Sequence, residues 1–112
     1  MVTIKIHTKD PRLVFDIFDR QEISINDSMK IDDNSLLTLA HIENTKGISV
    51  SPGVIEFVLS FSSGVASGLV ANWLWNRFNK KADKITINDT DIIMDKDGFI
   101  RIITKEIKKT IG

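Results

Sequence analysis

The chain has no cysteine. Without a thiol it can form no disulfide framework, hold no metal through thiolates and run no thiol chemistry, and a reducing compartment is expected. Histidine is scarce as well: only His7 and His41 occur, far apart in sequence. A metal pair, or a base with its orienting acid, would need the fold to bring them together, and solvated strand histidines are the simpler expectation. Excess charge of one sign is also missing. Fifteen Lys and Arg balance 15 Asp and Glu, so no global attraction to nucleic acid or anionic lipid is expected. The opening "MVTIKIHTKD" lacks a basic segment followed by a long apolar run, so it does not read as a secretion signal, and a cytoplasmic protein is expected. No glycine-rich phosphate loop is present, and no G-x-S-x-G turn surrounds Ser60, Ser62, Ser63 or Ser67. Neither a nucleotide site nor a serine nucleophile is therefore expected, and no cofactor is implied.

What is present is an ordinary globular composition, 42% hydrophobic and 27% charged over 112 residues, which fits a single domain spanning 1–112. Val2, Ile4 and Ile6 alternate with Thr3, Lys5 and His7, the period of a strand with one buried face. The next stretch is ambiguous. Asp10 and Pro11 suit a helix start, while Val14, Phe15, Ile17 and Phe18 favour strand, and a strand hairpin is the preferred reading. "MKIDDNS" reads as an extended piece and a turn, and "SLLTLAHIENTKGISVS" as two strands around a turn in which Gly47 takes positive φ.

Ser51 before Pro52 is a favourable helix start, and a long helix is expected from there to about Lys80. Its residues from Val54 to Trp75 carry one charge, Glu56, and are long enough to cross a bilayer. Wound as a helix, Glu56, Ser60, Ser63 and Ser67 form one stripe and Val54, Val58, Phe61, Val65 and Leu69 the opposite one. That sidedness argues for a packed helix over a lipid-facing one. On this reading Gly64, Gly68, Trp73 and Leu74 are packing positions, the glycines admitting close backbone approach. After it, "KITIN" and "DTDIIM" read as a strand and a short partner. Asp95 or Asp97 then caps an amphipathic helix with Phe99, Ile100, Ile103, Ile107 and Ile111 on one side. The expected fold is α+β: an antiparallel sheet packed on one long central helix plus a C-terminal amphipathic helix.

Candidate chemistry is sparse. "DTDIIMDKDGF" pairs Asp89 with Asp91 and Asp95 with Asp97, which suits a hard cation. The calcium-loop register fails, however: with Gly98 at the glycine position, Ile93 and Thr104 stand where carboxylate ligands belong. Turn formation and capping explain these aspartates, and no metal site is expected. Trp73, Trp75 and Phe78 beside Arg77, Lys80 and Lys81 suit a stacking surface for single-stranded nucleic acid, but the end of a core helix is the commoner reading and no nucleic acid is expected. The strongest local bias is acidic. Asp16, Asp19, Glu22, Asp27, Asp32 and Asp33 face only Arg20 and Lys30 within residues 16–33. Such a field is either solvated surface or a docking face for a basic partner, with charge complementarity supplying rate and specificity.

The segment "SGVASGLVANWLWNRF", followed by "KITINDTDIIMDKDGFIRIITKEI", resembles the small bacterial conflict-system modules called effector-associated constant components, and also suits other small immunity or antitoxin proteins. Those modules end in a small-residue helix, a strand pair and a closing helix. The resemblance covers residues 63–107 and corresponds only at Gly64, Gly68, Trp73 and Leu74. It implies a non-catalytic adaptor or inhibitor, so no catalytic residue is carried over. The leading expectation is a protein-binding module, an immunity protein that neutralises a basic toxin domain by docking on it. A small membrane-anchored protein spanning the bilayer with residues 54–75, and an enzyme or nucleic-acid binder with a site the sequence does not reveal, are the alternatives.

Overall fold

A computed structural model describes residues 1–10, 12–43, 53–79, 82–92 and 95–111. Among them are six strands: β1 (Val2–Thr8), β2 (Ser28–Asp32), β3 (Ser35–Glu43), β4 (Gly53–Phe61), β5 (Lys84–Ile87) and β6 (Thr90–Ile92). Three helices accompany them: α1 (Leu13–Phe18), α2 (Ser67–Phe78) and α3 (Lys96–Ile111). The strands make one sheet in the order β2-β3-β4-β1-β5-β6, every neighbouring pair antiparallel. Thus β2, β3 and β4 form a meander. β1 lies between β4 and β5, and α2 carries the chain from one to the other.

Alternation places the core. Ile4 and Ile6 of β1 lie beside Phe57 and Ile55 of β4 on one side and Ile87 and Ile85 of β5 on the other. Leu59 and Phe57 continue that row to Leu37 and Leu39 of β3. All of these side chains are buried, and so are Leu13, Val14, Ile17 and Phe18 of α1, Val70, Ala71, Leu74 and Phe78 of α2, and Phe99, Ile103 and Ile107 of α3. They form a single apolar cluster. The three helices therefore cover one face of the sheet. Phe57 ties the layers together, its ring 5.9 Å from Phe18 of α1 and 5.5 Å from Phe78 of α2, while Phe78 meets Phe99 of α3 edge-on at 6.3 Å.

The α+β class is as expected, but the single long central helix is not found. Residues 53–61 form a strand paired on both sides, and the helix begins only at Ser67. Residues four apart share a face in a strand as well as in a helix, so the Val54/Val58 and Glu56/Ser60 spacings fit both. What separates the readings is Ile55, Phe57 and Leu59, which bury at a period of two. A central strand takes hydrogen bonds on both edges and favours β-branched and aromatic side chains, and "VIEFV" supplies them. The possible membrane span dissolves for the same reason: among the described residues no helix is long and apolar enough to cross a membrane. The turn at Gly47 and the helix start at Ser51 and Pro52 lie outside the described residues.

Residues 11–20 also depart from the preferred strand reading. Leu13, Val14, Ile17 and Phe18 make one buried helical face and leave Phe15 and Asp16 outside. The Asp10 side chain accepts from the Arg12 amide at 3.0 Å, satisfying a donor that the first turn leaves open. Asp19 closes the helix in the left-handed region, φ 52°. At α3 the expected cap is present as Asp95, whose carboxylate accepts from the Gly98 amide at 3.0 Å.

The close backbone contacts expected at both glycines are absent. Gly64 lies in the loop after β4, where an added Cβ would approach the Asn34 side chain at 3.3 Å. Gly68 is exposed on α2, with no atom of the described residues within 4 Å of an added Cβ. Leu74 is fully buried and Trp73 packs half-buried against the core. Replacing Gly68 with alanine should therefore raise stability by about 0.4–1 kcal/mol, by narrowing the unfolded ensemble without a clash. Urea unfolding checks this, and a loss of stability would reveal a contact at that position.

Candidate docking surface

The acidic residues separate into two roles once placed on the fold. Asp27 and Asp32 hold turns: Asp27 accepts from the Ser24 amide at 2.8 Å, and one Asp32 oxygen accepts from the Asn34 amide at 2.8 Å and the Ser35 hydroxyl at 2.7 Å. Asp33 projects from the β2–β3 turn, its side chain 98% exposed, 3.6 Å from Lys30. Asp16, Asp19 and Glu22 are exposed on α1 and the loop that follows it. Asp16 and Asp19 line a cleft together with Leu13, Phe15, Arg20, Gln21 and Arg77, whereas Asp32 lines a different one, between β2 and α2, with Ile31, Leu69, Asn72, Trp73 and Asn76.

Arg77 joins these two clefts. Its guanidinium sits 4.8 Å over the Trp73 ring and donates to the Ile17 carbonyl at 3.2 Å and the Asp16 carbonyl at 3.4 Å. The last carbonyls of α1 thus gain a cationic partner, favourable at the negative end of a helix. Around this bridge the surface exposes apolar groups: Phe15 is 38% and Leu69 73% accessible. The sequence reading puts Leu69 on the packed face, takes Phe15 only as a strand-favouring residue and Arg77 only as a cation beside a stacking surface, and does not single out Asn72 or Asn76. Only the true phases of α1 and α2 identify them.

The remaining candidates have structural placements. His7 and His41 belong to β1 and β3, with β4 between those strands, and no group of three or more His, Asp or Glu suited to a metal occurs among the described residues. Asp89 adopts positive φ in the β5–β6 turn and lies 3.6 Å from Lys5. Asp91 pairs with Lys84 at 2.9 Å and accepts from the Thr86 hydroxyl at 3.0 Å. Trp75 turns inward to Phe99 at 5.5 Å rather than offering a stacking surface beside Trp73.

The Lys84 hydrogen bond, followed by that from Thr86, holds the Asp91 carboxyl below the usual aspartate range. Because the folded value is the lower one, the contribution of this pair is complete above the unfolded aspartate value. It fades as pH falls through the folded value. Replacing Lys84 with Met should return the Asp91 titration upward toward an ordinary aspartate. Carboxyl NMR shifts followed through acid pH measure it, and an unmoved titration would remove Lys84 as the cause.

Comparison with protein-family models, curated proteins and solved structures finds no match for the chain.

Proposed function

We propose that the chain is a non-enzymatic protein-binding module, of the kind in which a small bacterial immunity protein neutralises a basic toxin domain by docking on it. The observation that carries this reading is the coincidence of exposed apolar anchors with exposed carboxylates on one flank. Phe15 stands beside Asp16 and close to Asp19, and the surface continues through Arg77 and Trp73 to Leu69. Protein interfaces use this arrangement, aromatic and arginine groups for energy within a polar rim that steers approach. The order of α2, the β5–β6 pair and α3 also follows the helix, strand pair and closing helix of the effector-associated constant components, which supports an adaptor role in a conflict system.

The geometry selects which carboxylates can report on docking. Reversal at Asp27 or Asp32 would break turns, so the informative variant is Asp16→Lys with Glu22→Lys and Asp33→Lys. Cross-linking in the source cell supplies the partner, and co-expression shows whether the chain relieves its toxicity. The triple variant should associate roughly tenfold more slowly at low salt, with little change in melting. Equal association rates reject the acidic face, and a partner with no toxic activity rejects the immunity role.

A further inference from the structure

The free edge of the sheet at β2 runs alongside an unfilled cleft of α2. Among the described residues β2 pairs only with β3, and its outward main-chain groups meet no other strand. The Ser28 carbonyl faces that edge, because it accepts from the Arg20 guanidinium at 3.1 Å. Alternation then turns the Lys30 amide and carbonyl the same way. Beside them lies a cleft of about 330 Å³, lined by Ile31 and Asp32 of β2 and by Leu69, Asn72, Trp73 and Asn76 of α2. That volume is at the small end of binding pockets, ~300–1,000 Å³, and suits side chains of an added strand better than a whole helix. Leu69 and Trp73 offer an apolar floor, and Asn72 and Asn76 carry amides that both donate and accept.

We infer that β2 and this cleft receive an extended, cationic segment of a partner protein, which adds to the sheet as a seventh strand and lays alternate apolar side chains on Leu69 and Trp73. Main-chain pairing supplies affinity in this mode and the side-chain pocket supplies selectivity. Charge identifies the occupant. Asp27 precedes β2, and Asp32 and Asp33 close it, so carboxylates bracket the edge around Lys30. A second copy paired antiparallel about Lys30 would set Lys30 against Lys30 and Asp27 against Asp33, and like charges directly opposite are unfavourable. A segment with cations at both ends meets no such conflict. The inference rests on the reading of the chain as a protein-binding module, and specifies how the partner is held.

The test titrates the full chain with a capped nonapeptide of alternating Val and Thr carrying Lys at both ends, followed by amide NMR. A second peptide has alternate backbone nitrogens methylated, and a third carries Glu in place of Lys. Shifts centred on residues 28–32 and 69–76, with binding weakened roughly tenfold or more by N-methylation, by Leu69→Asp and by Lys30→Pro in folded protein, are expected. The Glu-ended peptide should bind more weakly than the Lys-ended one. No binding at about 1 mM peptide, equal binding of the methylated peptide, or unchanged binding to both variants overturns the added strand. Equal or tighter binding of the Glu-ended peptide overturns the cationic occupant, as does dimerisation of the chain through β2. A captured toxin without peptide binding sinks this inference alone, and peptide binding without toxin neutralisation sinks the immunity reading alone.

Discussion

Replacing Phe57 with alanine should cost about 3–5 kcal/mol, the range for emptying a fully buried aromatic site. Phe57 is fully buried at the centre of β4 and touches the rings of Phe18 and Phe78, so its loss opens space at the meeting point of the sheet, α1 and α2. Collapse around that space is resisted because each neighbour is anchored on a different element. Typical domains are stable by only about 5–15 kcal/mol, so the variant should melt roughly 10–20 °C lower or fail to fold at ambient temperature. Thermal unfolding by near-ultraviolet circular dichroism reads this directly. A loss below about 1 kcal/mol would mean that the ring is not at the centre of the core.

Proline substitution in two strands should give opposite outcomes. Val58 of β4 lies between Thr3 of β1 and Thr38 of β3, in a strand paired on both sides. Val58→Pro removes a ladder donor and places the ring in the middle of the sheet, costing about 3 kcal/mol or more. Lys30 of β2 is on the edge, with its amide turned outward, so Lys30→Pro gives up no ladder bond and should leave the protein folded with only a modest loss. Urea midpoints of the two variants measure the contrast. Comparable losses would contradict the central position of β4 or the edge position of β2.

This contrast falls where the residues alone are ambiguous. Ile4 and Ile6 alternate without competition, so β1 is legible from its own side chains, and the run from Phe99 to Ile107 makes α3 legible in the same way. Residues 54–61 offer apolar groups at spacings of two, three and four together. A strand buried in the centre of a sheet and a packed helix then produce the same composition. Leu13, Val14, Ile17 and Phe18 also carry a clear helical face, but four β-favouring side chains in a short run obscure it, and packing against α2 outweighs that propensity. The surface was less legible than the core. The acidic bias of residues 16–33 is visible by inspection, whereas its division into turn ligands, Asp27 and Asp32, and exposed carboxylates, Asp16, Asp19 and Glu22, depends on where each turn bends.

By itself the sequence determined the α+β class, β1, the short β5–β6 pair, α3 with an aspartate cap at Asp95 or Asp97, and the impossibility of thiol chemistry in this chain. These features depend on neighbours a few residues away or on the absence of a residue type. Tertiary structure decided that residues 53–61 are a strand, that Gly68 faces solvent, and that Phe15, Arg77, Trp73 and Leu69 share a surface. Those outcomes turn on which partners lie on either side of a segment, and hydrogen bonds from β1 and β3 resolve a periodicity that β4 alone leaves open.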